Sequence, residues 1–147
     1  MGEITPPKFD YDEKIAQRFL ENRGVAGGLH EYLGIRIVDV GPGTMQGQLE
    51  VRDELLTHIG NMHGGVLSAF SDHMLGCVCY PVMKPGQWAA TTEFKINLTA
   101  PVTKGVVDAY AEIINMSRTQ AVVQIRLVNE GRLAAVAQGT VTIRDPR

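Results

Sequence analysis

The chain predicts an α+β domain in which one long antiparallel sheet wraps a single central helix. Three observations carry that expectation. From Val66 to about Tyr80, apolar side chains (Val66, Leu67, Ala69, Phe70, Met74, Leu75, Cys77, Val78) fall on nearly every helical face, as in a helix covered all round. Ahead of it, from Gly34, apolar and polar residues alternate around Gly41-Pro42-Gly43, which reads as a β-hairpin. Behind it, the chain divides into four more alternating runs separated by turn residues.

Taken in order, residues 1–33 form an N-terminal helical segment and 34–147 the main domain. Asp10-Tyr11-Asp12-Glu13 predicts a helix start, with Asp10 as N-cap and Glu13 closing a capping box. Ile15, Phe19 and Leu20 then keep helical spacing until Asn22-Arg23-Gly24 stops the run. Gly27-Gly28 is a joint, and Leu29 to Leu33 supplies one further helical turn. The hairpin carries Ile35, Ile37 and Asp39 on one arm and Met45, Gly47, Leu49 and Val51 on the other. Pro81 and Lys84-Pro85-Gly86 end the central helix. Four strands follow, at 89–98, 106–115, 121–129 and 133–143, with turns at Ser117-Arg118-Thr119 and Asn129-Glu130-Gly131-Arg132. There are no repeats, low-complexity tracts or linkers.

Composition narrows the function classes. Of 147 residues, 44% are hydrophobic and 20% charged, with a net charge of −2, the profile of an ordinary globular domain. The basic residues are scattered, which argues against nucleic acid as a partner. The N-terminus lacks a signal-peptide pattern, and Pro6 stands where a myristoylation signal needs Ser or Thr. No run approaches the roughly 18 apolar residues of a membrane span, so a soluble, cytoplasmic protein with no membrane partner is expected. Cys77 and Cys79, two apart on a helix, point to different faces and read as reduced core thiols. No His-Glu-x-x-His or paired-cysteine spacing appears, so neither metal nor cofactor is expected. Ser68 and Ser71 lack the Gly-x-Ser-x-Gly elbow of serine hydrolases.

The chemistry concentrates in Gly60-Asn61-Met62-His63-Gly64-Gly65-Val66-Leu67-Ser68-Ala69-Phe70-Ser71-Asp72. Glycines at a helix start let a substrate oxygen approach N–H groups that have no helical acceptor. A carboxylate in an apolar helix is costly without a task or a partner, and burial is expected to raise the Asp72 pKa. His63 either anchors the loop before the helix or takes part directly. Asp72 and His73 do not share a helix face, so they do not form a dyad. Gly64 and Asp72 are eight residues apart, a rise of roughly 12 Å. One helix cannot bring both to one carbonyl carbon; two antiparallel helices related by a two-fold axis can.

His63-Gly64-Gly65 with Asp72 nine residues after the histidine resembles the phenylacetate-pathway (PaaI-type) branch of the hotdog acyl-CoA thioesterases. Leu33-Gly34-Ile35, the segment Thr91-Thr92-Glu93-Phe94-Lys95-Ile96-Asn97-Leu98 with Pro101, the turn at Arg118, and Ala135-Val136-Ala137-Gln138-Gly139-Thr140 match that branch as well. The resemblance covers about Leu33 to Ile143. It implies a hotdog fold, hydrolysis of an acyl-CoA to a carboxylate and free thiol, and a homodimer, often paired into a tetramer as a dimer of dimers. Carried residue by residue, it places the catalytic carboxylate, base or nucleophile, on Asp72. The carbonyl-polarising amide falls on Gly64 and the hydroxyl that helps hold water on Thr91. Gly65 leaves room for the thioester, and Arg118 is a candidate for a CoA phosphate. One position departs: the family's asparagine, six residues before the motif histidine, is Thr57 here. His58, Asn61 or Thr57 itself stands in for its contact. The competing reading is a non-catalytic acyl-CoA-binding hotdog protein, either sensor or structural.

Overall fold

The computed structural model describes residues 2–22 and 27–146. Helices α1 (Glu13–Leu20) and α2 (Leu29–Leu33) precede a hairpin of β1 (Arg36–Gly41) and β2 (Thr44–Glu50). The central helix α3 (Gly64–Cys77) follows, and then β3 (Trp88–Leu98), β4 (Val106–Met116), β5 (Gln120–Asn129) and β6 (Arg132–Arg144). The six strands form one antiparallel sheet in the order β1-β2-β4-β5-β6-β3, with α3 packed against β2 to β6. This is the hotdog arrangement expected from the pattern.

The sheet can wrap α3 closely because its inward positions are small where the helix crosses. Ala109, Ala111, Ala121, Ala135 and Ala137 are all buried there. At Gly47 a Cβ would lie 2.8 Å from Met74 Sδ and 3.2 Å from the Phe70 ring, so this glycine sets how near α3 can come to β2. Larger side chains (Leu49, Val107, Val123, Leu127, Val141) fill the flanks at 0% exposure. Extra residues interrupt the pairing of β1, β3 and β4; such bulges bend a strand and sharpen its twist.

The N-terminal helix begins two residues later than its capping-box pattern implies. Asp12, not Asp10, is the N-cap, with its carboxylate accepting from the N–H of Lys14 at 2.9 Å and of Ile15 at 3.2 Å. Tertiary contacts hold the preceding residues extended: the Asp12 N–H donates to Pro81 O at 2.8 Å and the Tyr11 hydroxyl to Val40 O at 3.1 Å. The helix closes at Leu20, and Asn22 takes φ 50°. The expected stop residues Arg23 and Gly24 lie outside the described residues. At the other end, α3 stops at Cys77 rather than Tyr80, because Pro81 opens a 3-10 turn at Tyr80–Val82. Cys77 and Cys79 are both unpaired thiols, and burial pushes each up to about 12. Among the described residues no helix is long and apolar enough to cross a membrane.

The two sheet edges differ. At β1 the N-terminal segment supplies partners, Tyr11 to Val40 O and Asn22 Oδ1 to the Ile37 N–H at 3.1 Å. Among the described residues β3 pairs with β6 alone, and none pairs with its outer edge.

Candidate active site

Two short backbone bonds fix the start of α3. The Met62 N–H donates to Val102 O at 2.7 Å, and the His63 N–H to Leu55 O at 2.9 Å. His63 is the N-cap, its Nδ1 accepting from the Gly65 N–H at 2.9 Å. The neutral ring therefore carries its proton on Nε2. The Val66 N–H turns back to His63 O at 2.9 Å. That leaves the Gly64 N–H with no acceptor among the described residues, at the positive end of a 14-residue helix.

The segment before the histidine forms a tight turn. The Thr57 N–H donates to Asn61 O at 2.7 Å, and the Thr57 hydroxyl to Asn61 Oδ1 at 3.2 Å. Thr57 and Asn61, two of the three stand-ins for the family asparagine, are thus bonded to each other. His58, the third, is exposed at the tip of that turn, beside Ile59 and Gly60.

Asp72 lies toward the far end of α3, in a depression of about 470 Å³ lined by Ser68, Ala69, Asp72, Thr91, Thr92, Glu93 and Phe94. The carboxylate is exposed in the single chain, which corrects the expectation of burial. The helix is covered on one side only: Leu67, Phe70, Ser71, Met74 and Leu75 are buried, whereas Gly65 and Asp72 are exposed. The uncovered side runs along β3, whose outer edge has no partner among the described residues.

A bulge brings Thr91 to the depression. In the pairing of β3 with β6, Thr91 lies opposite Val141 and Glu93 opposite Thr140, so Thr92 is the extra residue. The inserted residue shifts the alternation. Thr91 and Phe94 both turn toward α3, while Thr92 and Glu93 bond outward to the hydroxyls of Thr142 and Thr140. Gly139 makes the bulge possible, since a Cβ there would stand 2.6 Å from the Glu93 carbonyl oxygen. Sequence periodicity does not reveal this shift, and it hid Phe94. Ser68 and Ala69 were legible in principle, being four and three residues before Asp72 on one helix face.

His73 faces away from this depression, half-buried under α2. Its ring stacks on His30 with centroids 5.3 Å apart and an interplanar angle of 5°, and its Nε2 lies 3.5 Å from Cys77 Sγ. Burial, and secondarily the neighbouring His30, lower its pKa to about 4, against a smaller opposing pull from Asp72. Arg118 is exposed at the β4–β5 turn and pairs with Asp145 at 3.6 Å. It lines a different depression, of about 820 Å³, shared with the N-terminal residues 7–14; within one chain it does not meet Asp72. No group of three or more metal-ligating side chains converges among the described residues.

The sequence pattern of the thioesterase superfamily matches residues 59–136, more than half of the chain and the whole stretch from the turn before His63 into β6. Over 121 residues the chain is 29% identical to the 1,4-dihydroxy-2-naphthoyl-CoA hydrolase of Listeria monocytogenes, covering 82% of this chain and 98% of that one. Its backbone superposes on a thioesterase of Haemophilus influenzae with a TM-score of 0.81, at 26% identity, over 86% of this chain and 90% of the other. A mutant of the phenylacetic acid degradation protein PaaI of Thermus thermophilus matches with a TM-score of 0.70 at 30% identity, over 77% and 96%. Fold, motif and relatives agree: the chain belongs to the thioesterase superfamily and is a hotdog-fold thioester hydrolase.

Proposed function

We propose that the protein hydrolyses an acyl-CoA to a carboxylic acid and free CoA at a site completed by a second copy of the chain. The observation that carries this reading is the layout of α3. Its free Gly64 N–H and its exposed Asp72 sit at opposite ends of one uncovered helix side, along an unpaired strand edge. Roughly 12 Å of helix separates them, so a common substrate needs Gly64 of one copy and Asp72 of another. The CoA carrier is favoured by the relative that acts on a naphthoyl-CoA.

In this reading the thioester oxygen lies on the Gly64 N–H, and Gly65 gives it room. Asp72 takes a proton from a water held with Thr91, and the hydroxide adds to the carbonyl carbon. In the alternative route the carboxylate adds directly and water cleaves the mixed anhydride. Either way the oxyanion forms against the Gly64 N–H, a donor typically worth about 3 kcal/mol of barrier. Collapse expels the thiolate, which takes up a proton. His63 acts through its cap on the Gly65 N–H, which holds the loop in place. Thr57, His58, Asn61 and Arg118 are kept as substrate contacts, and two such dimers form the tetramer.

Release of free thiol from a panel of acyl-CoAs tests the activity. Asp72→Asn is expected to lower turnover by about 10²- to 10⁴-fold without lowering the melting temperature, since the side chain is exposed. Tight acyl-CoA binding with no thiol release sinks the enzyme reading. Shared sites are tested by mixing. Gly64→Pro removes the N–H at a first-turn position whose backbone accepts proline, with the Leu98 side chain, 2.7 Å from the new Cβ, turning aside. Unfolded together and refolded, inactive Asp72→Asn and Gly64→Pro chains should recover about a quarter of the wild-type rate, since half the dimers then hold one intact site. No recovery would place both residues in one subunit's site.

A further inference from the structure

Leu98, the last residue of β3, lies directly over the start of α3. Its Cδ1 is 2.7 Å from the point a Cβ on Gly64 would occupy. Cα–Cβ bonds in a helix tilt toward the N-terminus, the direction in which first-turn N–H groups also point. The isobutyl group therefore stands beside the opening through which the Gly64 N–H is reached. Phe94 and Ile96, on the same strand face, pack onto the core, whereas Leu98 overhangs it at 54% exposure.

We infer that Leu98 is a specificity-determining residue, forming the apolar wall next to the thioester carbonyl and limiting the bulk of the acyl group. The inference rests on the Gly64 amide holding that carbonyl. With its oxygen on the N–H, the first carbons of the acyl group lie within reach of the leucine methyls, and Leu98 offers them no hydrogen-bonding group. The acyl class that fits is apolar near the carbonyl, and its permitted width is set by this side chain. Shortening Leu98 opens space for a ring or a branch; enlarging it closes that space.

The test compares kcat/KM for benzoyl-CoA and butyryl-CoA in the wild type, Leu98→Ala and Leu98→Trp, with the dimer fraction measured by sedimentation. Leu98→Ala should raise the benzoyl-to-butyryl ratio by at least about tenfold, and Leu98→Trp should lower it by a similar factor, the range expected for reshaping an apolar pocket. If both variants scale the two substrates by one common factor, Leu98 serves only folding or association and the inference is overturned. A wild type that releases thiol from no acyl-CoA overturns the acyl-CoA reading and this inference with it. A common factor in variants of an enzyme that Asp72→Asn inactivates overturns this inference alone.

Discussion

The two sides of α3 differ in what completes them. On the closed side, Leu67, Phe70, Ser71, Met74 and Leu75 meet the sheet, and the fit is close enough that Gly47 cannot carry a Cβ without displacing Met74 or Phe70. On the open side, Ser68, Ala69 and Asp72 face a shallow depression beside the unpaired edge of β3. The closed side is finished by the chain's own sheet and reports on folding. The open side lacks a wall, and every residue assigned to the chemistry borders it. On the proposed assignment of the site, one helix separates stability from activity by face, and substitutions on its two sides should fail in different assays.

Phe70→Ala is the strongest test of the closed side. The ring is fully buried against β2 and the core, and removing such a ring typically costs about 3–5 kcal/mol. Chemical denaturation should show that loss. The fraction that stays folded should keep a turnover close to wild type, the mirror image of Asp72→Asn. A Phe70→Ala protein of normal stability and collapsed turnover would erase the distinction between the two sides.

Gly139→Ala acts where the two sides meet. Its Cβ would stand 2.6 Å from the Glu93 carbonyl oxygen and 3.1 Å from Phe94 Cα. These are backbone atoms that no rotamer change can move, so the β3 bulge must shift, and Thr91 with it. A displacement near 1 Å can cost about 10²-fold in rate, and overpacking of this kind about 1–3 kcal/mol in stability. The expected outcome is a fall in both kcat and stability. Unchanged kcat in a destabilised protein would show that the bulge shapes the sheet without positioning Thr91.

These contrasts also mark what could be read before the fold was known. Strand alternation is a local signal, so the hairpin and the four later strands were legible to within a residue or two. Gly64 and Asp72 could be proposed from sequence because their motif lies within thirteen consecutive residues. Where tertiary contacts decide, the local signal failed. Asp10 and Asp12 carry the same capping chemistry, and only the bonds of Tyr11 and Asp12 to distant carbonyls choose between them. The exposure of Asp72 was hidden for a related reason. Ala69, beside Asp72 in the depression, makes the open side look like core, and an apolar pattern does not say which side of a helix its own sheet covers. The extra residue at Thr92 is invisible because its neighbours on both sides keep strand propensity.

His73 lies at the border where α2 covers α3, and it should make stability depend on pH. The groups facing it are His30 from α2 and Asp72 and Cys77 from its own helix. Its pKa is lowered from 6.5 to about 4, chiefly by burial, so the unfolded chain binds the proton more tightly. The contribution of the neutral ring is complete above pH 6.5, declines as the pH falls, and is gone below about 4. The effect is at most on the order of 3 kcal/mol. His73→Gln should flatten that part of the stability–pH curve. An unchanged slope would assign the acid sensitivity to other groups.

Ser68 and Ser71 give the smallest and most local comparison, three residues apart on the same helix. Ser68, toward the open side, donates its hydroxyl to Gly64 O at 2.9 Å, a helical bond to the carbonyl four residues back. Ser71, on the closed side, is fully buried, and its Oγ has no hydrogen-bond partner among the described residues. An unsatisfied buried hydroxyl carries a desolvation cost of about 1–3 kcal/mol, and alanine is also the better helix former. Ser71→Ala should therefore stabilise the protein by about 1 kcal/mol, with thiol release unchanged. Ser68→Ala loses a bond that water can replace on the open side, so its stability should stay within about 0.5 kcal/mol of wild type. A destabilised Ser71→Ala protein would mean that the hydroxyl is paired in solution, and that the closed side is wetter than its packing implies.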